Sequence, residues 1–411
     1  MKILHINQNL SVAGGGITQM IRDFSPALHE NGARIYCLTA EDIKETPAGI
    51  EQHIYLRAIR EANAPTDTWQ TELEKTLITN NIDLVHVHEV KNLDIVQYLI
   101  DKLPVVIHLH NYGWWCPGND QFYASTDENC PISTSWKCIP NAYFKKCNNR
   151  HPKRLIPSII NGYKKKGIWD ENVRFIASSE YMRRRATQVG IAFDKISVVP
   201  YAVEKKRFTR GSRKAVEGLE PGYILYVGRF SQSKGVEYLV DAFSYIENFD
   251  HQLVLVGDGA HRGKIESHIK RLGLENKVSL LGWREGEELS RLFHNCSMLV
   301  VPSVWNEVFG IIGLEAMAAS KPVVAFDVGG ISQWLDDNIT GLLVSRKDIR
   351  ELSLKMASLI RNPRLAEEMG RLGLERFQKE FTTEMQAVNL MKVYSKAIRK
   401  NTPSTARKLS M

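Results

Sequence analysis

The sequence predicts an α/β protein made of two Rossmann-like domains, each built on a parallel sheet. Its 411 residues are too many for a single hydrophobic core. Short apolar runs rich in β-branched residues alternate with amphipathic helical patterns, and this alternation occurs once in each half of the chain. Strands that alternate with helices in this way form parallel sheets with right-handed crossovers.

The first domain, residues 1–200, begins with a strand and includes a loop-rich insertion at residues 111–150. Its predicted strands are KILHIN, ARIYCL, LVHVHE, PVVIHLH and RFIASS. The helical patterns between them include ITQMIRDFSPALHENG and TDTWQTELEKTLITNN. The insertion follows the PVVIHLH strand and is set apart by its cysteines.

The second domain, residues 201–380, repeats the alternation. Its predicted strands are YILYVGR, QLVLVGDG, VSLLGW, MLVVPS and PVVAFD, and its helices include GVEYLVDAFSYIEN, RGKIESHIKRLG, GEELSRLFHN and IIGLEAMAAS. A last helical pattern occupies residues 381–400. The polar tail, residues 401–411, is predicted to be disordered.

Composition and charge indicate the cellular location of the protein and the kind of partner that it binds. The opening MKILHINQNLS has no signal-peptide apolar region, and no apolar run is long enough to span a bilayer, so we expect a cytoplasmic protein with reduced cysteines. The net charge is +8, and residues 129–169 hold nine Lys or Arg and no acidic residue. This basic stretch is interpreted either as a solvated face or as a surface for an anionic partner. Of such partners we expect a membrane surface, on the cytoplasmic face, and not nucleic acid.

Two segments that follow strands are candidates for phosphate binding, because ligands of open parallel sheets bind at the carboxyl ends of the strands. AGGGITQM, with Gly15 and Gly16, leads into a helix whose N–H groups can meet a phosphate, although a plain tight turn is the alternative. A dinucleotide site would need a third glycine where Gln19 stands. In GRFSQSKG, Arg229 and Lys234 precede another helix and suit a diphosphate; solvated loop cations are the alternative.

Two glutamates lie in the apolar stretch WNEVFGIIGLEAMAASKPVVA. Glu307 precedes an aromatic–glycine pair, and Glu315 lies inside the helical run. A carboxylate in such surroundings must be paired, hydrogen-bonded or used in binding. The structural alternatives are a helix cap for Glu307 and a pairing with lysine for Glu315.

These signals occur together in an order that resembles a known family. GRF…KG, VGDG, VPS and E-x7-E follow one another at fitting separations, and the glycine run, DLVHVHE and PVVIHLHNYGWWCPG precede them. The combination is similar to the retaining GT-B glycosyltransferases of the family called GT4. The resemblance extends to about Arg399. It implies two Rossmann-like domains that face each other across a cleft, with the last helix crossing back to the first domain.

The resemblance also implies roles for the residues that match the motifs. Glu315 would accept hydrogen bonds from the ribose hydroxyls of the donor, and Glu307 from hydroxyls of the donor sugar. His110 would lie against the donor sugar near the leaving diphosphate; taken alone, this strand histidine is more typical of a structural group. The groups implied to hold the diphosphate are Arg229, Lys234, the backbone of Phe309, Gly310 and Ile311, and Gly15 and Gly16 from the first domain.

The implied reaction is transfer of a sugar from a UDP- or GDP-sugar to a glycan or lipid-linked acceptor, with retention of configuration. Such transfers belong to the synthesis of cell-surface polysaccharides or glycoconjugates. The sequence has no Asp-x-Asp pair for Mg²⁺ or Mn²⁺, so we expect a metal-independent enzyme that requires no cofactor. The alternatives are a nucleotide-sugar epimerase on a related scaffold, a dinucleotide-dependent oxidoreductase and a non-catalytic binding protein.

Four cysteines crowd the insertion, at positions 116, 130, 138 and 147. Four thiolates can hold a structural zinc ion, but no C-x2-C pair is present and the spacings match no standard zinc finger. The alternatives are therefore a zinc site made by Cys116, Cys130, Cys138 and Cys147, or loop cysteines that are unpaired or form disulfides.

Overall fold

The computed structural model describes residues 1–11, 16–169, 171–209, 216–246 and 251–400. The chain divides into two compact units. The first unit contains residues 1–121, 131–202 and the segment from Thr383 on, and the second contains residues 122–130 and 203–382. The predicted fold class is confirmed, because each unit holds an all-parallel sheet between helices.

The sheet of the first unit has seven strands in the order β3-β2-β1-β4-β5-β8-β9. Adjacent strands pair in parallel throughout. The central strands are buried along their whole length, as expected for a sheet covered on both faces. The strands are β1 Lys2–Asn7, β2 Arg34–Thr39, β3 Ile50–Tyr55, β4 Leu84–Val87, β5 Val105–Leu109, β8 Val173–Ala177 and β9 Ile196–Val198.

The helices of the first unit connect these strands and cover the sheet. Two of them begin at side-chain caps: Asn92 accepts from the Asp94 N–H and Ser179 from the Met182 N–H. The last helix of the chain, α14, lies against α1 in this unit. The helices are α1 Gly16–Glu30, α2 Gln70–Asn80, α3 Leu93–Lys102, α4 Cys138–Phe144, α5 Pro152–Trp169, α6 Glu180–Gln188 and α14 Thr383–Lys400.

The second unit has a six-stranded parallel sheet in the order β12-β11-β10-β13-β14-β15. Its strands are β10 Ile224–Val227, β11 Leu253–Val256, β12 Val278–Gly282, β13 Met298–Val301, β14 Val323–Phe326 and β15 Gly341–Val344. Its helices are α7 Lys205–Thr209, α8 Val236–Ser244, α9 Arg262–Arg271, α10 Gly286–Asn295, α11 Ile311–Ala318, α12 Ile349–Arg361 and α13 Pro363–Glu380.

A short hairpin from the insertion belongs to the second unit. It pairs β6 (Phe122–Tyr123) with β7 (Glu128–Asn129) in antiparallel fashion. Within the second unit, Asp127 accepts from Gln232 Nε2 at 2.6 Å and from the Tyr238 hydroxyl at 3.1 Å. The sequence analysis places these nine residues in the first domain, and the contacts explain the difference, since the polar groups of the hairpin find their partners in the second unit.

Three strands of the structure, β3, β9 and β15, were not predicted from the sequence. β3 has the sequence IEQHIY and is largely exposed, as an edge strand is, so it lacks the apolar run of the predicted strands. β9 is only three residues long, whereas β15, GLLV, is as long as the predicted strands β13 and β14. Among the described residues no helix combines the length and apolar character needed to cross a membrane.

Candidate functional site

Two loops meet at the carboxyl edge of the second sheet. The first joins β10 to α8, and the second joins β13 to α11. The backbone N–H groups of Val304 and Trp305 both donate to the Ser233 carbonyl, at 3.0 and 3.2 Å. The two loops therefore form one structure, and the side chains that they carry come together.

Glu307 is the buried centre of these loops. Its carboxylate is 2.6 Å from the Lys234 ammonium and accepts a hydrogen bond of 2.6 Å from the Ser303 hydroxyl. Glu307 is only 5% exposed, while Lys234 stays partly open and lies 5.4 Å from the Trp305 ring centre. The apolar stretch thus holds a paired carboxylate, and the cation that pairs with it comes from the other loop.

Gly235 allows the first loop to approach the second. Its φ is +66°, and a Cβ built there would lie 2.0 Å from the Pro302 carbonyl oxygen. Any other residue would therefore be both strained and in collision with backbone. Gly235 is also the N-cap of α8, so the residue next to Lys234 sets both the helix start and the loop contact.

The second loop ends at the N-terminus of α11. Gly310 has φ +90° and caps the helix, and the Phe309 carbonyl accepts from Trp334 Nε1 at 2.6 Å. The first N–H groups of a helix have no partner within it and favour an anion. Phe309, Gly310 and Ile311 thus lie at a helix N-terminus, and their contact with a diphosphate stays a prediction.

Arg229 and Glu315 belong to the same edge but differ in setting. Arg229 is exposed, and its carbonyl accepts from the Tyr226 hydroxyl at 3.0 Å. Burial, with nearby Glu307, raises the pKa of Tyr226, so this hydroxyl stays protonated and keeps the bond. Glu315 is half-buried on α11, eight residues after Glu307, which lies in the loop before that helix.

The hairpin β6–β7 supports both loops, and the sequence analysis missed this role. Gln232, two residues before Lys234, donates to the Ala124 carbonyl at 2.7 Å. The N–H of Asn306, next to Glu307, donates to Asn129 Oδ1 at 3.1 Å. Arg346 donates to the Val304 carbonyl at 2.7 Å and also to the hairpin at the Asp127 carbonyl. No motif marks these residues, because the contacts join segments far apart in sequence.

His110 lies in the first unit, at the end of a row of histidines. His110 Nε2 is 2.8 Å from His88 Nδ1, and His88 Nε2 is 2.9 Å from His5 Nδ1. The other nitrogen of His110, Nδ1, is 2.7 Å from the Tyr201 hydroxyl. Below this row, His86 Nδ1 bonds the Tyr394 hydroxyl of α14 at 2.8 Å.

Burial keeps these rings neutral. It lowers the pKa of His5 and His110 to about 3. Burial and the neighbouring histidines lower the pKa of His86, His88 and His108 well below the usual value. His110 is therefore a hydrogen-bonding group at neutral pH and not a charged one.

The neutral histidines should make the first unit sensitive to acid. In the folded state their pKa values lie below the unfolded value, so the unfolded state binds more protons below about pH 6.5 and stability falls as pH falls. Each ring contributes about 1.4 kcal/mol per pH unit, and five rings up to about 7 kcal/mol per unit. Urea unfolding at pH 7.5, 6 and 5 should show this loss. His108→Leu should reduce the slope by about one proton, whereas a flat profile would show that the rings are charged or solvated.

The remaining predicted residues are placed as follows. Gly16 is exposed at the first position of α1, and Gly15 lies outside the described residues. Cys130 clusters with the second unit, and Cys116, Cys138 and Cys147 with the first. In the described part of the chain, the sets of three residues that could hold a metal ion consist of histidines. The zinc site of the cysteines stays a prediction.

Comparison with known proteins identifies the sequence family. Residues 14–207 match the family described as Glycosyltransferase Family 4, and residues 209–376 match Glycosyl transferases group 1. An uncharacterized glycosyltransferase of Methanocaldococcus jannaschii is 38% identical over 170 residues, which are 41% of this chain and 47% of that protein. The chain thus spans about half the length of this curated relative.

Solved structures share the fold over almost the whole chain. Sucrose-phosphate synthase from Thermosynechococcus elongatus is 22% identical, with a TM-score of 0.75 over 97% of this chain and 99% of the other. The Anabaena protein HepE in complex with UDP and glucose is 18% identical, with a TM-score of 0.68 over 96% and 100% of the two chains. The predicted GT-B architecture and the predicted GT4 family are both confirmed.

Proposed function

We propose that this chain, which belongs to the group 1 glycosyltransferases of family 4, transfers a sugar from a nucleotide-sugar to a hydroxyl group of an acceptor. In this reaction the bond between the anomeric carbon and the diphosphate breaks, the acceptor oxygen takes its place, and the nucleoside diphosphate leaves with the electron pair. The acceptor proton passes to the diphosphate or to solvent. The observation that carries the proposal is the ion pair of partly exposed Lys234 with buried Glu307 beside the N-terminus of α11.

The donor would be held by positively charged groups at its diphosphate and by carboxylates at its hydroxyls. Lys234 and Arg229 would hold the diphosphate oxygens, together with the N–H groups at the start of α11, because cations and helix N-termini both favour anions. Glu307 keeps a second carboxylate oxygen for sugar hydroxyls, since Lys234 and Ser303 both contact Oε1. Glu315, half-buried further along α11, would take the ribose hydroxyls.

The same cations would act on the leaving group. Negative charge grows on the diphosphate as the glycosidic bond breaks, and fixed positive charge at that point lowers the barrier. Arg229 and Lys234 supply that charge from the protein, in keeping with a transfer that needs no divalent ion. We propose retention of configuration and no cofactor for the reaction on the basis of the family resemblance. His110, as a neutral hydrogen-bonding group, would contact the sugar.

The test is a panel of nucleotide-sugars incubated with the protein. UDP-sugars come first because the structural relative HepE binds UDP and UDP-glucose. We expect slow hydrolysis of one donor to sugar and nucleoside diphosphate, unchanged by EDTA and lost in Lys234→Met. Release of an epimer would favour the epimerase alternative, and loss of activity in EDTA with recovery in Mg²⁺ would overturn metal independence.

We further propose a lipid-linked acceptor and attachment to an anionic membrane through helices α4 and α5. α5 runs unbroken through Pro157 and Gly162, and its inner side packs Leu155 and Ile159 on Ala142 of α4. The outer side exposes apolar side chains at helical spacing, next to exposed aromatic residues of α4 and the residues before it. These exposed side chains are Ile156, Ile160, Tyr163, Trp136 and Phe144.

The basic residues around this apolar face divide into two groups. Lys165 and Lys166 donate to the backbone carbonyls of Gly113 and Thr134, at 2.6 and 2.7 Å, so they support the insertion. Exposed cations remain beside the apolar side chains, at Lys137, Lys146, Arg150, Lys153, Arg154 and Lys164, of which Lys164 lies 3.7 Å from Asp94. An exposed apolar face with cations at its edge suits the interface of an anionic membrane.

Vesicle binding tests the membrane proposal. Co-sedimentation with vesicles of about 30% phosphatidylserine at low salt should retain the wild type and lose the double variant Ile156→Ser, Ile160→Ser, because buried apolar area and charge act together. Ile78→Ser, an equally exposed isoleucine on α2, is the matched control and should still bind. If all three proteins sedimented equally with the vesicles, or if none did, the proposed membrane attachment through α4 and α5 would be wrong.

A further inference from the structure

The histidines of the first unit form two layers, and the upper layer is a continuous chain of hydrogen bonds. His5, His88, His110 and Tyr201 lie in near-parallel planes, with angles of 19°, 16° and 12° between successive rings. Successive polar atoms are 2.9, 2.8 and 2.7 Å apart. Ring centres 5.2 and 5.1 Å apart with nitrogens in contact mean that the imidazoles meet edge to edge. We call this chain the histidine ribbon.

We propose that His88, with His5 behind it, is a positioning residue for His110: the histidine ribbon holds the His110 ring in one neutral tautomer. The inference rests on the proposed function, in which His110 contacts the donor sugar. Each ring nitrogen of His110 would then have one fixed role toward a sugar hydroxyl, as either a hydrogen-bond donor or an acceptor.

The ribbon has few ways to place its protons. A neutral imidazole carries one N–H and one bare nitrogen, so each link between rings contains a single proton. If one ring changes tautomer, its neighbour must change as well, or two protons or two lone pairs face each other. Only two arrangements satisfy every link, and they differ at all the rings together.

The inner end of the ribbon selects between these arrangements. His5 Nε2 is buried and has no hydrogen-bond partner in the described part of the chain. A buried N–H without an acceptor is costly, and although neutral His108 must carry one, His5 avoids a second by leaving this nitrogen bare. His5 Nδ1 then donates to His88, His88 Nδ1 donates to His110, and His110 carries its proton on Nδ1, toward Tyr201.

Two sets of these histidines, His5–His86–His88 and His88–His108–His110, have nitrogens close enough to suggest a metal ion, and in the second set the ring geometry decides against it. The ligand atoms of His88, His108 and His110 fall within 4.8 Å of one another. His108 and His110, however, are nearly parallel at 16° with their centres 4.0 Å apart, so one ring lies over the other. Imidazole lone pairs lie in the ring plane, and two stacked rings cannot direct theirs at one ion.

The lower layer provides a matched control. His108 is buried on β5, lies against His110 just after the end of that strand, and has no hydrogen-bond partner at either nitrogen among the described residues. His88→Leu and His108→Leu therefore remove the same buried ring from either layer, but only the first change breaks the ribbon. His88→Asn places an amide where Nδ1 was and can restore the bond to His110.

The experiment combines nitrogen-15 NMR of histidine-labelled protein with kinetics. In the wild type we expect His110 to show a protonated Nδ1 and a bare Nε2, and in His88→Leu the two signals should move together as both tautomers become populated. With donor and acceptor, His88→Leu should lower kcat about 10- to 100-fold with little change in the donor KM. His108→Leu should stay within about twofold, and His88→Asn should recover much of the loss.

Several outcomes would overturn the inference. They are a proton on Nε2 of His110 in the wild type, the same tautomer in His88→Leu as in wild type, or equal losses in the His88 and His108 variants. Tight binding of one Zn²⁺ per chain, lost in His88→Leu, would show that these histidines hold a metal ion and not a chain of shared protons. If His110→Ala leaves transfer unchanged while the tautomer results are as expected, the proposed role of His110 fails and the ribbon remains.

Discussion

Replacing Lys234 by alanine is expected to lower sugar transfer by about 10²- to 10³-fold and to weaken the binding of nucleoside diphosphate. The ammonium is the cation fixed closest to Glu307, at 2.6 Å, and it lies between two loops held together by backbone hydrogen bonds. Its removal takes positive charge from the place where the leaving group becomes negative. Calorimetric titration with nucleoside diphosphate and the kcat of transfer measure the two effects separately.

Matched variants separate this electrostatic effect from a loss of fold. Ser303 still donates to Glu307 in Lys234→Ala, and Lys234 is partly solvated, so the cost in stability should be about 1–2 kcal/mol. Glu307→Gln keeps the shape of the side chain and should lower kcat while diphosphate still binds. Lys264→Ala, on the exposed side of α9, should change neither quantity. Unaltered diphosphate affinity in Lys234→Ala would exclude Lys234 from the phosphate site.

Gly235→Ala is expected to destabilise the second unit by roughly 3 kcal/mol or more and to abolish transfer. A Cβ at this position would lie 2.0 Å from the Pro302 carbonyl oxygen, and the φ of +66° would add strain. Backbone cannot yield as a flexible side chain can, so the loop that carries Lys234 would have to move away from Glu307. Thermal unfolding and transfer activity would show the two losses together.

Gly263→Ala is the control for this change. Gly263 lies in α9 of the same unit, and a Cβ there meets nothing within 4 Å. Alanine is the better helix former, so this variant should gain roughly 0.5–1 kcal/mol. If both glycine variants behaved alike, the close approach of the two loops would not be what requires glycine at position 235.

The sequence predicted the parts of this protein that depend on local pattern. The buried strands β1, β4, β5, β10, β11, β13 and β14 are apolar runs bounded by turns, and a run of this kind has few other structures to adopt. The paired carboxylate at Glu307 was also predictable, because burial of a lone charge is too costly to persist. Lys234 was selected from the sequence as a phosphate-binding group in the motif GRFSQSKG, and its ion pair with Glu307 was not predicted.

Other features depend on contacts that no local pattern records. The histidines at positions 5, 86 and 108 lie in three strands and those at 88 and 110 just after two of them, so their assembly follows from the order in which β1, β4 and β5 lie side by side. The basic stretch was treated as one surface, but the Nζ atoms of Lys165 and Lys166 donate to backbone carbonyls. Charge composition alone does not distinguish a lysine that faces solvent from one that supports a loop.

The hairpin at residues 122–130 makes the polypeptide pass between the two units four times, after residues 121, 130, 202 and 382. A fragment that starts at Val203 would therefore lose the residues that bond Gln232, Asn306 and Arg346. Added as a free peptide, the hairpin would have to bind from solution, whereas in the intact chain its tether holds it at an effective concentration of roughly millimolar. The continuous chain thus holds the hairpin against the loops that carry Lys234 and Glu307, and cutting it near residue 121 or 130 would loosen those loops without altering any residue in them.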